Sequence, residues 1–208
     1  DILSGRLNAY FQDTYRYRSA MGSWFFHGGV RVSHWNFNDQ WLISPRASLA
    51  FEPARQQDLR LHLSGGCYYQ VPVYKEMKRP DASLNRDIEA QQSVHVVLGA
   101  EYDFMAWGRP FKYQAEAYYK DLDHLIPYKI DNVRINYAGD NMAKGYAAGL
   151  DMKVNGEFVP GVQSWASLSF LQTMADIQGD SYVNDRGRRV QPGYYPRPTD
   201  QLVNFSLF

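Results

Sequence analysis

The chain has 208 residues, 22 Lys+Arg against 22 Asp+Glu, 45% hydrophobic residues and 15% aromatics, 16 of them tyrosine. Zero formal net charge offers no basic face for phosphates, so no nucleic-acid partner is expected. No run of 18 apolar residues exists, so no segment can cross a membrane as a helix; the mean hydropathy of −0.49 still suits a membrane barrel, whose apolar and polar faces average out.

In chain order, the dominant signal is a period of two, which marks strands because successive side chains leave opposite faces of a pleated chain. Residues 5–17 place Leu7, Ala9, Phe11, Tyr15 and Tyr17 on one parity. Residues 23–37 are aromatic at both ends, with Val30 and Val32 marking the apolar set between. Residues 43–52 alternate Ile43, Pro45, Ala47, Leu49 and Phe51 with Ser44, Arg46, Ser48, Ala50 and Glu52. Residues 58–70 set Leu59, Leu61, Leu63, Gly65, Cys67 and Tyr69 against Asp58, Arg60, His62 and Ser64. Cys67 is the single cysteine, so no internal disulfide can form, and its parity predicts a packed thiol. The same alternation runs through 93–104, 111–120, 144–158, 164–173 and 201–208, giving about nine strands and no helix. The opening DILSGRLNAY lacks the charged start and apolar stretch of a signal peptide, which is therefore absent, removed or upstream.

The connections fall into two lengths. RSAMG, PARQQ, MAWGRP and VPGVQ are short and rich in turn residues, whereas 71–90, 127–142 and 175–198 are long. Outer-membrane barrels pair short periplasmic turns with long extracellular loops, so the three long connections are expected on one side. If MAWGRP pairs Phe104 with Phe111, the register sets Tyr102 opposite Tyr113, Ala100 opposite Ala115, Asp103 opposite Lys112 and His95 opposite Lys120. The charged face cannot meet lipid, where a charge near mid-membrane costs roughly 2–4 kcal/mol. It is predicted to line a hydrated lumen. Tyr15, Tyr17, Trp24, Trp35, Trp41, Tyr68, Tyr69, Tyr118 and Tyr119 lie near strand ends and suit two interfacial aromatic girdles. The same pattern in a secreted carbohydrate-binding module would be the core of a β-sandwich.

Catalysis has no sequence support: no nucleophile elbow, no phosphate-cradling loop, and five histidines without metal-ligand spacing. No enzyme activity, cofactor or metal is expected; His62 and His95, on the polar parity, read as lumenal hydrogen-bonders. Ligand recognition belongs on the long loops, because loops carried by a rigid scaffold hold binding residues. The candidates are Tyr74, Lys75, Glu76, Arg79, Asn85 and Arg86 in the first; Arg134, Tyr137, Asp140 and Asn141 in the second; Arg188, Arg189, Tyr194 and Tyr195 in the third. Clustered Arg and Tyr suit anionic or sugar-like ligands, or lipopolysaccharide.

Five segments in order resemble the β-barrel of TonB-dependent outer-membrane receptors of the Bacteroidetes type: LISPRASLAFEP, LRLHLSGGCYYQVPVYKEM, LNRDIEAQQSVHVVLGAEYDF, AEAYYKDLDHLIPY and GDNMAKGYAAGLDMKVNGEFVPGVQSWASLSF. The resemblance implies an all-β antiparallel meander, residues 1–208 forming part of a transmembrane barrel of about 22 strands in the bacterial outer membrane. It implies TonB-coupled import of a scarce, bulky nutrient such as an iron chelate, cobalamin or an oligosaccharide. It also implies contact with outer-membrane lipids and lipopolysaccharide, with a plug domain and TonB through parts not seen here, and with a surface lipoprotein. Nine strands cannot close such a barrel, so the chain is expected to be an internal piece from its middle-to-late part, although Phe208 at the end of an alternating strand resembles an assembly signal. A receptor-like barrel in a structural or assembly role is the nearest rival.

Overall fold

The computed structural model describes residues 4–197 and 200–208. Eight long strands follow one another as an antiparallel meander: β1 (Arg6–Ser19), β2 (Gly22–Trp35), β3 (Gln40–Pro53), β4 (Leu59–Gln70), β5 (Gln91–Ala106), β6 (Arg109–Leu125), β9 (Ala143–Val159) and β10 (Val162–Ile177). Two small hairpins, β7–β8 (Tyr128–Asp131, Arg134–Tyr137) and β11–β12 (Tyr182–Val183, Arg189–Val190), sit inside the second and third long connections. The ninth expected strand is an interrupted one. Both β13 (Tyr195–Pro196) and β14 (Val203–Leu207) pair with β10, and Arg197 N donates to Thr173 O while Thr173 N donates to Asp200 Oδ1 across the break. The result is one open ten-stranded sheet with no second sheet facing it among the described residues, which is not the architecture of a sandwich.

Turn chemistry explains the near end of the sheet. Residues 20–21, 54–58, 107–108 and 160–161 make its four short connections. Trp107 and Gly108 have φ of 51° and 72°, the paired left-handed conformation whose twist matches flanking strands in a two-residue hairpin. That turn fixes the β5–β6 register at Phe104–Phe111, Asp103–Lys112, Tyr102–Tyr113, Ala100–Ala115 and His95–Lys120, as the alternation predicted. The far end carries all three long connections, 71–90, 126–142 and 178–194, together with a four-residue turn at 36–39 between two of the expected strands. The expected limit of the third loop at 198 lies outside the described residues.

The strands are staggered as barrel closure requires. A row of partners runs Trp24–Phe51–Leu61–Ala100–Ala115–Met152. Trp24 lies two residues from the near end of β2 (Gly22), Ala100 six from that of β5 (Ala106), and Met152 seven from that of β9 (Val159). The near ends therefore shift along this row, mostly between β4 and β5 where Leu59 pairs with Tyr102, and this stagger tilts the sheet. A strand of 16 residues such as β5 spans about 53 Å and, tilted by about 40°, rises about 40 Å, more than the roughly 25 Å apolar band of an outer-membrane barrel. The strands thus reach past the lipid. Charges on the apolar parity fall where this predicts: Asp121, Asp123 and the Lys144–Asp176 pair (3.8 Å) lie at far strand ends. Asp13, midway along the edge strand β1, is the exception, and its carboxylate accepts from Thr14 N at 2.7 Å.

The two faces differ as the sequence requires. Val94, Val96 and Leu98 are 42%, 51% and 59% exposed, while their odd-numbered neighbours His95 and Val97 are half-buried. On the polar face Lys112 Nζ lies 3.1 Å from Glu101 and 4.0 Å from Asp103, His62 lies 3.3 Å from Glu116, and Arg60 3.9 Å from Glu52. Glycines on this face make room for a neighbouring strand's rings: a side chain at Gly99 would overlap His62, and one at Gly149 the Tyr118 hydroxyl. Gly149 thus marks a close approach, and the approaching ring belongs to β6. The girdle assignment needs correction at three positions. Tyr15, Tyr17, Trp24, Trp41, Tyr69 and Tyr119 share the apolar parity. Tyr68 and Tyr118 turn to the polar face, and Trp35 is buried, because near strand ends proximity to a turn does not decide parity. Cys67 lies half-buried on the apolar face, its sulfur accepting from Gln92 Nε2 at 3.1 Å.

Candidate functional site

The far end of the sheet is a packed cap. Trp35, from the end of β2, is fully buried against Met77 and Ile88 of the first loop and Ile126 of the second, with Phe37, Val71, Leu84 and Tyr137 around them. This is the one hydrophobic cluster of globular type in the described residues. Its members come from three connections, which are therefore held together by burial of apolar area. Asn38 Nδ2 donates to Ile88 O at 2.7 Å and Ala90 N donates to Gln40 Oε1 at 3.0 Å, tying the short 36–39 turn to the first loop.

Polar residues lash the first loop to the second. Arg79 Nε reaches both Asp140 oxygens (3.1 and 3.3 Å) and Nη2 reaches Oδ1 at 2.9 Å. The Asp140 carboxylate, through this hydrogen bond first and its charge second, raises the Arg79 guanidinium above its already high pKa. Asn85, 4% exposed, donates to Gly139 O and Asp140 Oδ1 at 2.8 Å, while its own Oδ1 accepts from Asp87 N. Gly139 has a φ of 75°, and a Cβ there would lie 2.6 Å from the Lys78 carbonyl, so close approach and left-handed backbone both select glycine. Lower down, Asn141 Nδ2 donates to the carbonyls of Glu89 (3.0 Å) and His124 (2.6 Å), and its Oδ1 accepts from Glu89 N at 2.7 Å. His124 sits at a bulge in β6 with φ of 54°, its ring 3.2 Å from Glu89 and 3.6 Å from Asp123. The third loop joins through Gln178 N, which donates to Met142 O at 2.7 Å, and through Tyr194, whose ring lies 5.6 Å from that of Tyr146.

The fourteen sequence candidates divide accordingly. Arg79, Asn85, Tyr137, Asp140 and Asn141 are brought together, and their polar groups or rings hold the cap in shape. Glu76 is likewise engaged, accepting from Val73 N at 2.8 Å. Tyr195 pairs with Ala175 at the sheet edge, and Arg189 donates to Ser181 Oγ at 2.7 Å. Tyr74, Lys75, Arg86, Arg134, Arg188 and Tyr194 are exposed, and the side chains of Lys75, Arg86, Arg134 and Arg188 make no hydrogen bond or ion pair among the described residues. Lys75 and Arg86 lie in the first loop, Arg134 on the β7–β8 hairpin and Arg188 beside β11–β12. Sequence reasoning missed His124, Glu89 and Asn38; only the turn-forming character of the Asn and Asp residues hinted at such lashings.

An open, tilted, antiparallel sheet with one apolar face, one polar face and all long loops at one end is a barrel wall. Residues 3–204 match the family model described as TonB dependent receptor-like, beta-barrel. The chain belongs to this family. Among solved structures it is similar to the outer membrane transporter YddB from Escherichia coli, at a TM-score of 0.67 and 13% identity over 93% of this chain and 29% of that one. It is also similar to the ferric enterobactin receptor of Pseudomonas aeruginosa, at a TM-score of 0.55 and 16% identity over 84% of this chain and 31% of that one. No curated protein matches the sequence. This TonB-dependent receptor barrel sequence belongs in the bacterial outer membrane, its apolar face against lipid and its polar face toward the lumen. It spans less than a third of the transporters it matches.

Proposed function

We propose that this chain is a section of the lumenal wall and loop surface of a longer TonB-coupled importer, which carries a scarce, bulky nutrient across the outer membrane. The observation that carries this reading is the match of 93% of the chain to 29% of an outer membrane transporter's chain, with every long loop at one end. The cargo class is an iron chelate, cobalamin or an oligosaccharide; the likeness to a ferric enterobactin receptor supports the first only as a fold relation. Energy comes from the inner membrane through TonB acting on a plug outside this chain. The chain's own part is passive: β3, β4, β5 and β6 present paired charges to the lumen, and the cap holds the loops rigid. Tyr74, Lys75, Arg86, Arg134, Arg188 and Tyr194 are the residues it offers to cargo, to lipopolysaccharide or to a surface lipoprotein. Cells expressing the full receptor, with and without a working TonB, test the reading. Nutrient uptake is expected to fall to the level of cells lacking the receptor when TonB is disrupted. Undiminished uptake or growth would contradict energised import and favour a structural or assembly role.

A further inference from the structure

The lumenal wall of β1–β4 holds a recess of about 620 Å³, inside the range of roughly 300–1,000 Å³ typical of small-molecule sites. Register explains its depth. Gln12, Gly29, Arg46 and Gly66 are successive partners across the four strands, so two of the four positions in this row have no side chain. On one side of the row Arg31 pairs with Ser44; on the other, Thr14, His27, Ser48 and Ser64 stand in line.

Some cations on this wall are ion-paired and others, like Arg16, Lys120 and Lys153 elsewhere and Arg46 here, are set over an aromatic ring; two arginines, Arg31 and Arg46, line the recess. Arg60, His62 and Lys112 each have a glutamate within 4.0 Å. Among the described residues Arg31 and Arg46 have no carboxylate that close, and the carboxylate of nearby Asp13 is held by Thr14 N on the opposite parity. Arg46 Cζ lies over the Tyr68 ring, 4.4 Å from its centroid, and Tyr68 stacks in turn on His95 at 4.4 Å. Gly66 permits this stack, because a Cβ there would lie 3.0 Å from Arg46 Cγ and 3.2 Å from Tyr68 Cε2. His27 Nδ1 is fixed by Thr14 Oγ1 at 2.9 Å. Stacking leaves the edge of a guanidinium free, and its donor fork matches the paired oxygens of a carboxylate or phosphate. The row of hydroxyls around it suits a ligand that itself carries hydroxyls.

The geometry points to a binding site for a small polyhydroxylated anion, a sugar acid or sugar phosphate, held by Arg31 and Arg46 with Thr14, Ser44, Ser48 and Ser64 on its hydroxyls. The site rests on the lumenal orientation of the polar face, but not on transport.

The test is calorimetric titration of the full receptor in detergent with glucuronate and with glucose 6-phosphate, glucose being the neutral control. Equilibrium binding needs no TonB, so its failure is distinguishable from a failure of import. At least one anion should bind, and which one binds assigns the headgroup, while glucose should not. The R31Q/R46Q double substitution should weaken binding by about 10-fold or more, since each lost charged hydrogen bond is worth roughly that factor. Gly66→Ala, which pushes Arg46 off Tyr68 while keeping both charges, should weaken it by a smaller factor; the folded state of each variant is checked by resistance to SDS without heating. Absence of anion binding to the full receptor, equal binding of glucose, or unchanged affinity in folded R31Q/R46Q would overturn the assignment.

Discussion

Trp35→Ala is expected to open the extracellular cap while leaving the barrel wall folded. The indole is fully buried, stacks on Phe37 at a ring separation of 5.3 Å, and donates to Ser4 Oγ at 2.8 Å. Removing a buried tryptophan typically costs about 3–5 kcal/mol, and here that cost falls on the one cluster joining residues 36–39 to the first and second long loops. The sheet below loses nothing, because its hydrogen bonds run strand to strand from β1 to β10. Limited proteolysis of the full receptor should therefore cut within 71–90 on the order of 100-fold faster or more, with resistance to SDS retained. Unchanged protection of that loop would mean that the cap is held by something other than Trp35.

The second large effect concerns which face meets lipid. Leu98, near the middle of β5, is 59% exposed on the apolar parity, whereas Val97 beside it points to the polar face. Leu98→Arg should destabilise the full barrel by roughly 2–4 kcal/mol, the cost of a cation near the bilayer midplane. Val97→Arg places the same charge one residue away in the lumen and should cost well under half as much. Urea unfolding in lipid vesicles reads both. Equal costs, or a larger one at position 97, would reverse the assignment of faces.

How much of this was legible follows from the range over which each feature is encoded. The β5–β6 register could be read because alternation fixes the parity of each arm and residues 107–108 fix their offset, all within one hairpin. The side of the long loops followed from counting strands between short turns. The roles of loop residues could not be read. Arg79 and Asp140 lie 61 positions apart, and nothing local says that the two loops fold onto each other. Arg79, Asn85, Asp140 and Asn141 looked like exposed ligand-binding groups because their residue types are those of solvated loops, yet three loops resting on one another must satisfy their buried polar groups internally. Trp35 was read as an interfacial aromatic for a related reason: its distance from a turn is visible in sequence, but the loop residues that cover it are not. The recess on β1–β4 escaped notice because its floor is the absence of side chains at Gly29 and Gly66, positions that become neighbours only through Arg46 on the strand between them.

The account stands on one claim, that β5 crosses the outer membrane with its even-numbered residues against lipid. Nitroxide labels introduced singly at positions 94 to 102 of the full receptor, in a Cys67→Ala background and reconstituted into lipid vesicles, test it most directly. Collision rates with oxygen, which concentrates in lipid, should peak at Val94, Val96, Leu98 and Ala100 and fall at His95, Val97 and Gly99, with the reverse order for a water-soluble nickel chelate. Flat oxygen accessibility along the segment, or maxima at the odd-numbered positions, would contradict the account.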